Sequence, residues 1–181
     1  MKVAVVLVVA AVAAGCGCGG GGGDKPSKPL PEAAPAVGIA SGAFNNGATI
    51  PKRFTCSGAG VSPPLTFFDP PAATRQMALV VEDPDADRFL HWTVLGIPPD
   101  TPGFEAGKAP RGTVQTENGF GDRGWGAPCP PEGDKPHRYV FALFALDARL
   151  GLDEDASADE VRNAIAHHAI ARGDWVGRFG R

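Results

Sequence analysis

The sequence is short of several things, and each shortage narrows what the protein can be. It has no excess of positive charge: Lys and Arg number 17 against 20 Asp and Glu, for a net charge of −3. A broad nucleic-acid surface needs clustered basic residues and is excluded on that balance. A comfortable membrane span needs about 20 apolar residues, and the apolar run Val3 to Ala14 falls well short of that. There is no internal repeat. No Gly-x-Ser-x-Gly, His-x-His or His-Glu-x-x-His pattern occurs, so the usual marks of a serine hydrolase and of a zinc site are missing. Cysteine is scarce, 4 in 181 residues. Turn formers, by contrast, are plentiful, with 25 Gly and 18 Pro, and the 43% hydrophobic content is enough for a packed core. That content excludes global disorder.

The chain opens with a basic Lys2, the apolar run, and small residues leading to Cys16. Residues 1–15 have the form of a secretory signal. Ala13-Ala14-Gly15-Cys16 resembles the bacterial lipobox, although Ala13 stands where that pattern usually has Leu. The resemblance implies acylation of Cys16 and an exported protein, lipid-anchored on the periplasmic or outer face of a bacterial membrane. The alternative is an ordinary cleaved signal with an incidental cysteine. Residues 16–37 are Gly/Pro-rich and read as a tether, flexible first and stiffer later. Residues 38–181 form one domain. Its two cysteines, Cys56 and Cys129, could pair in an oxidising compartment, but their separation in sequence leaves the pairing open.

The domain reads as mainly β. Met77 to Val81 is a short unbroken apolar run that exits into Glu82-Asp83-Pro84-Asp85, the pattern of a buried strand entering a loop. Leu90 to Ile97 is a second strand. Alternation places His91, Thr93 and Leu95 on one face and Trp92 and Val94 on the other. In a third strand, Arg138 to Leu146, one face carries Tyr139, Phe141 and Leu143 in line with His137. The other carries Arg138, Val140, Ala142 and Phe144. Ser157 with Glu160 predicts a capping box, and Val161, Ala164, Ile165 and His168 follow at helical spacing. Gly173 reads as the helix stop, with Asp174 to Phe179 as a final strand. The Gly/Pro segments between Pro98 and Pro136 are long for a connection, as binding loops often are.

Three features could carry chemistry: Asp83-Pro84-Asp85 at a strand exit, His91, and Pro128-Cys129-Pro130-Pro131 leading to His137-Arg138-Tyr139. Singly, each has a plain structural reading. Asp-Pro initiates turns, and His91 could be a satisfied core histidine. Pro130 and Pro131 could be loop punctuation, and His137 and Tyr139 could be packing. Arg138 is expected to form a buried ion pair with Asp83 or Asp85. His168 is expected in the core, and His167, Asp147 and the acids near Glu154 in solvent.

Taken together, the blocks Thr55-Cys56-Ser57-Gly58, Ser62-Pro63-Pro64-Leu65, Asp83-Pro84-Asp85-Ala86, His91-Trp92, Gly126-Ala127-Pro128-Cys129-Pro130-Pro131 and His137-Arg138-Tyr139 resemble the phosphatidylethanolamine-binding protein family, in particular its bacterial Raf-kinase-inhibitor-like branch. The resemblance spans Ile39 to Phe179. It implies a β-sandwich with a few short peripheral helices, one of them near the C-terminus. It also implies a small anion pocket built from Asp83, Asp85, His91, Pro130, Pro131, His137 and Tyr139. Asp87, Ala127 and His167 depart from the family pattern, which usually has Pro, Gly and Gly there.

The resulting expectation is a non-catalytic binder of a phosphate head group or other small anion. His91, His137 and Tyr139 would donate to the oxyanion, Asp83 would orient a histidine, and Asp85 would meet the cationic part of an ethanolamine-like ligand. No cofactor, catalytic residue or metal ligand is implied. The membrane is met only through the lipid anchor, no nucleic acid is bound, and a homodimer is compatible with the sequence. The rival readings are an inhibitor or interaction module for a kinase- or protease-type protein, and a phosphoester hydrolase using the two acids and two histidines.

Overall fold

The computed structural model describes residues 29–33 and 37–181. The signal segment 1–15, Cys16 and most of the stretch read as tether lie outside the described residues. Among the described residues, no helix is long and apolar enough to cross a membrane.

Among the described residues, eight strands and one α-helix form a mainly β architecture. The strands are β1 (Gly38–Ala40), β2 (Leu65–Phe68), β3 (Gln76–Asp83), β4 (Phe89–Ile97), β5 (Gly103–Phe104), β6 (Val114–Gln115), β7 (His137–Leu146) and β8 (Ala169–Phe179); α1 is Ala158–His168. They make a three-stranded sheet, β1-β2-β5, and a five-stranded sheet, β6-β4-β3-β7-β8. All the pairings among these strands are antiparallel.

β3 and β7 lie inside the large sheet and must be apolar on both faces. From β3, Met77, Leu79 and Val81 point toward the small sheet and meet Ile39, Leu65 and Phe67 in one cluster. Ala78 and Val80 point the other way, toward Val161 and Ile165 of α1. β7 divides as its alternation predicts, with Tyr139, Phe141 and Leu143 on the sandwich side and Ala142 and Phe144 on the helix side. Leu30 also packs into the helix-side cluster, and Arg172 Nη1 donates to the Pro31 carbonyl at 2.8 Å. The packed domain therefore reaches back into residues that the composition assigns to the tether.

The capping box at Ser157 and Glu160 is present, with both reciprocal bonds made. Gly173, however, does not stop the helix. The backbone turns extended at Ala169, and β8 pairs with β7 from Ala169↔Leu146 to Phe179↔His137. The ladder to β7 overrides local helical spacing. Gly173 serves packing instead: a Cβ there would lie 2.0 Å from the Val37 carbonyl oxygen. His168, expected in the core, ends α1 half-exposed and its Nδ1 lies 3.0 Å from Asp147 Oδ1. His167 is exposed, as its position on α1 predicts.

The alternation drawn for β4 breaks at its start. Val81 opposes Trp92 but Glu82 opposes Leu90, so the ladder shifts between them and His91 is the extra residue. A bulge of this kind re-aims one side chain. His91 thereby meets Tyr139, whose ring centroid is 5.1 Å away, on the sandwich side rather than the Leu95 side.

Candidate functional site

At one end of the large sheet, three separate stretches of chain converge. β3 ends at Asp83, β4 begins with Phe89 and His91, and β7 begins with His137 and Tyr139. A long loop closes over them with Phe120, Cys129, Pro130 and Pro131. These residues and Ala86 line a cavity of about 120 Å³. With liquid water occupying about 30 Å³ per molecule, the space suits an occupant the size of a small tetrahedral oxyanion.

The loop is tied down at several points. Cys56 and Cys129 are joined by a disulfide, which resolves the pairing left open by the sequence. The Cys56 N–H donates to the Pro128 carbonyl at 3.0 Å, and Arg181 Nε to the Pro130 carbonyl at 2.8 Å. Asn118 holds the preceding turn, donating to the Gly124 carbonyl at 3.0 Å and accepting from the Phe120 N–H at 2.8 Å. Gly126 and His91 clamp each other: the Gly126 N–H donates to the His91 carbonyl at 2.7 Å, and His91 Nδ1–H donates to the Gly126 carbonyl at 2.8 Å. A Cβ on Gly126 would lie 2.6 Å from the Phe120 ring, so this close approach needs glycine.

Asp83 is buried at the cavity wall. One carboxylate oxygen accepts His137 Nδ1–H at 2.7 Å, and the other accepts the Asp85 N–H at 2.9 Å, capping the 3-10 turn Pro84–Ala86. His137 is thus oriented with Nδ1 engaged, while its Nε2 lies 3.8 Å from Asp134 Oδ2. Burial holds the pKa of His91 below the ordinary imidazole value, against opposing contributions from the Gly126 carbonyl and Asp83. Burial, with the charges of Asp83 and Asp85, pushes the Tyr139 phenol upward, so it keeps its proton and serves as a donor.

Asp83, His91, Pro130, Pro131, His137 and Tyr139 all line this cavity. Asp85 is the exception. Its carboxylate receives Arg138 Nη2 at 2.6 Å, Nε at 3.0 Å and the Arg138 backbone N–H at 2.8 Å. It stands outside the lining and is already occupied by a cation, so it is not placed to meet a ligand's ammonium group. The expected partner of Arg138 is therefore Asp85, but the pair is not buried: the side chains are 47% and 31% exposed. The hydrogen bond from Arg138 holds Asp85 below its ordinary carboxylate pKa, while partial burial opposes this.

Two departures from the family pattern have a local explanation. Asp87 has φ of 50°. Proline is fixed near about −65° and could not adopt this conformation, whereas Asp is one of the few L residues that does so readily. Ala127 is not among the left-handed residues, so no glycine is needed there. The sequence reading missed Phe89 and Phe120, whose rings pack at 4.7 Å beside His91 and form the apolar lip of the cavity. It also missed Gly126 as the partner that sets the His91 tautomer. The available signal was the Gly-rich loop itself, already marked by its length.

A model of the phosphatidylethanolamine-binding protein family matches residues 40–180. A UPF0098 protein of Methanothermobacter thermautotrophicus is 40% identical over 146 residues, covering 77% of this chain and 95% of that protein. A Mycobacterium tuberculosis protein named as lipoprotein LppC is 41% identical over 153 residues, covering 83% of this chain and 75% of the relative. Among solved structures, the Chlamydia trachomatis homologue CT736 superposes with a TM-score of 0.75 at 35% identity, covering 82% of this chain and 99% of that one. Escherichia coli YbcL superposes with a TM-score of 0.76 at 30% identity, covering 81% and 99%. The fold and site thus define a class of two-sheet protein with a small cavity at the sheet end, in which Asp83, His91, His137 and Tyr139 are set among apolar side chains. The chain belongs to the phosphatidylethanolamine-binding protein family.

Proposed function

We propose that this protein is a non-catalytic, membrane-tethered binder of a small oxyanion outside the cytoplasm. The observation that carries the reading is the convergence of His137, held by Asp83 at 2.7 Å, with His91 and Tyr139 around one cavity. Tyr139 supplies a neutral donor. With its ring charged, His137 would supply a second, charge-assisted one from Nε2. A charge-assisted bond contributes about 1.5–3 kcal/mol, so the few donors here give modest affinity after association costs. The Asp83 carboxylate at the wall favours a singly charged ligand over a multiply charged one.

The lining offers no side chain for covalent nucleophilic attack by sulfur, hydroxyl or amine other than the Tyr139 phenol. Its one sulfur nucleophile, Cys129, is locked in the disulfide, and no serine, threonine or lysine lines the cavity. Export is supported by the signal-like residues 1–15. Tethering is supported by Cys16 and by the lipoprotein name of a 41%-identical relative.

The test is a calorimetric titration of the whole protein with inorganic phosphate and with methyl phosphate, alongside His137→Ala. Saturable binding that weakens at least about tenfold in the variant is the expected result. No binding by the intact protein would remove the reading. Steady release of phosphate from methyl phosphate, abolished by His137→Ala, would replace it with hydrolysis.

A further inference from the structure

His91 has one ring nitrogen already committed. Its Nδ1 faces the Gly126 carbonyl at 2.8 Å, and a carbonyl can only accept, so Nδ1 carries the hydrogen. The reciprocal bond from the Gly126 N–H at 2.7 Å holds the two residues in register, and the rings of Phe89, Phe120 and Tyr139 pack around the imidazole. The nitrogen left for a cavity occupant is Nε2. In the neutral ring Nε2 is an acceptor.

The ring has good reason to stay neutral. It is 3% exposed, and burial disfavours its charged form. The titratable groups facing it are Asp83 from β3 and His137 and Tyr139 from β7. Asp83 is already engaged by His137 and the Asp85 N–H. From the loop packed over the ring come the Gly126 carbonyl and Phe120, neither of which titrates. The cavity therefore presents a donor on the β7 side at Tyr139, joined by His137 Nε2 when that ring is charged, and an acceptor on the β4 side, at His91.

An oxyanion with every oxygen ionised would set a lone pair against the His91 lone pair. An oxyanion that keeps one hydroxyl satisfies both sides, a charged oxygen toward the Tyr139 O–H and its own O–H toward Nε2. We propose that the cavity takes its anion together with a proton, selecting a hydroxyl-bearing monoanion such as dihydrogen phosphate or the singly ionised form of a phosphate monoester. Fully ionised oxyanions and phosphodiesters, which carry no O–H on the acid group, are disfavoured. His91 acts as the specificity residue. The inference rests on the oxyanion reading above and narrows it: a diester head group embedded in a lipid is the poorer ligand, and a free phosphate or monoester the better one.

The experiment compares methyl phosphate, dimethyl phosphate and sulfate by calorimetry at about pH 5, below the second ionisation of a phosphate monoester at about 6. At that pH methyl phosphate is a monoanion with a hydroxyl. Dimethyl phosphate has the same charge without it, and sulfate has a similar size with neither hydroxyl nor single charge. Methyl phosphate is expected to bind at least about tenfold more tightly than the other two, the size of one buried hydrogen bond made or left unmade. In His91→Phe, which keeps an aromatic ring in the cluster, the advantage falls to within about threefold. In the unsubstituted protein, the nitrogen resonance of His91 Nε2 provides an independent reading. An acceptor-type nitrogen with methyl phosphate bound supports the proposal, and a protonated one overturns it. Equal binding of sulfate or dimethyl phosphate overturns it as well, while leaving the oxyanion reading intact. Failure of all three to bind overturns both.

Discussion

The Cys56–Cys129 disulfide allows a quantitative prediction. The two residues are 73 apart in sequence, and the loop between them contains β2 to β6. Cross-linking a loop of that length removes unfolded-state entropy worth about 4 kcal/mol in the loop-closure account. Both cysteines are exposed, so serine at each position buries no new polar group and leaves no core cavity. The folded state also keeps its other ties to the loop, from the Cys56 N–H to Pro128 and from Arg181 to Pro130. The double variant Cys56→Ser/Cys129→Ser should therefore fold to the same structure and lose most of that amount. In urea the midpoint falls, and the melting temperature drops by roughly 10 °C, at about 2–4 °C per kcal/mol for a domain of this size. Reducing agent should do the same to the unsubstituted protein and nothing further to the variant. A loss below about 1 kcal/mol would refute the reasoning, because the bridge would then be constraining nothing that the remaining contacts do not already hold.

Two smaller effects follow from local geometry. Asp85→Asn breaks the Arg138 pair, whose exposure limits the cost to under about 1 kcal/mol. Because Arg138 lowers the folded pKa of Asp85, that contribution is present above the ordinary carboxylate value of about 3.9 and disappears as pH falls through the lowered one. Melting curves of the two proteins should therefore converge under acid. Ser157→Ala removes the capping box of α1 and should cost about 1 kcal/mol, read as a lower denaturation midpoint with an unchanged denaturant slope.

The parts of the fold legible in the sequence are those where local pattern and tertiary placement agree. β3 and β7 announce themselves because both faces are buried, so their apolar runs are nearly unbroken. The capping box is readable because its partners are three residues apart. β1, β2, β5 and β6 are two to four residues long, and their pairing is set by contacts distant in sequence, beyond the reach of periodicity. The β4 bulge is a property of two strands together, so alternation along one of them puts His91 on the wrong face. β8 begins where α1 ends because β7 offers it a ladder, a partner that helical spacing does not register.

The site divides in the same way. Asp83, His91, His137 and Tyr139 are visible as chemistry-bearing residues near strand ends. That Arg138 would take Asp85 rather than Asp83 depends on geometry across 53 positions of chain. That Gly126 would set the tautomer of His91 depends on a loop crossing 35 positions away. Phe120 carries no chemical signal of its own. It matters because the loop delivers it to the cavity mouth, where it stays half-exposed.

The most direct check uses the four histidines of the chain as reporters. His91 and His137 line the cavity, while His167 and His168 sit at the end of α1. In a nitrogen-detected imidazole spectrum of the protein titrated with methyl phosphate, the His91 and His137 signals should move together and saturate, and the α1 pair should stay still. Still signals for the first pair, or movement confined to His167 and His168, would contradict the assignment of ligand binding to this end of the sheet.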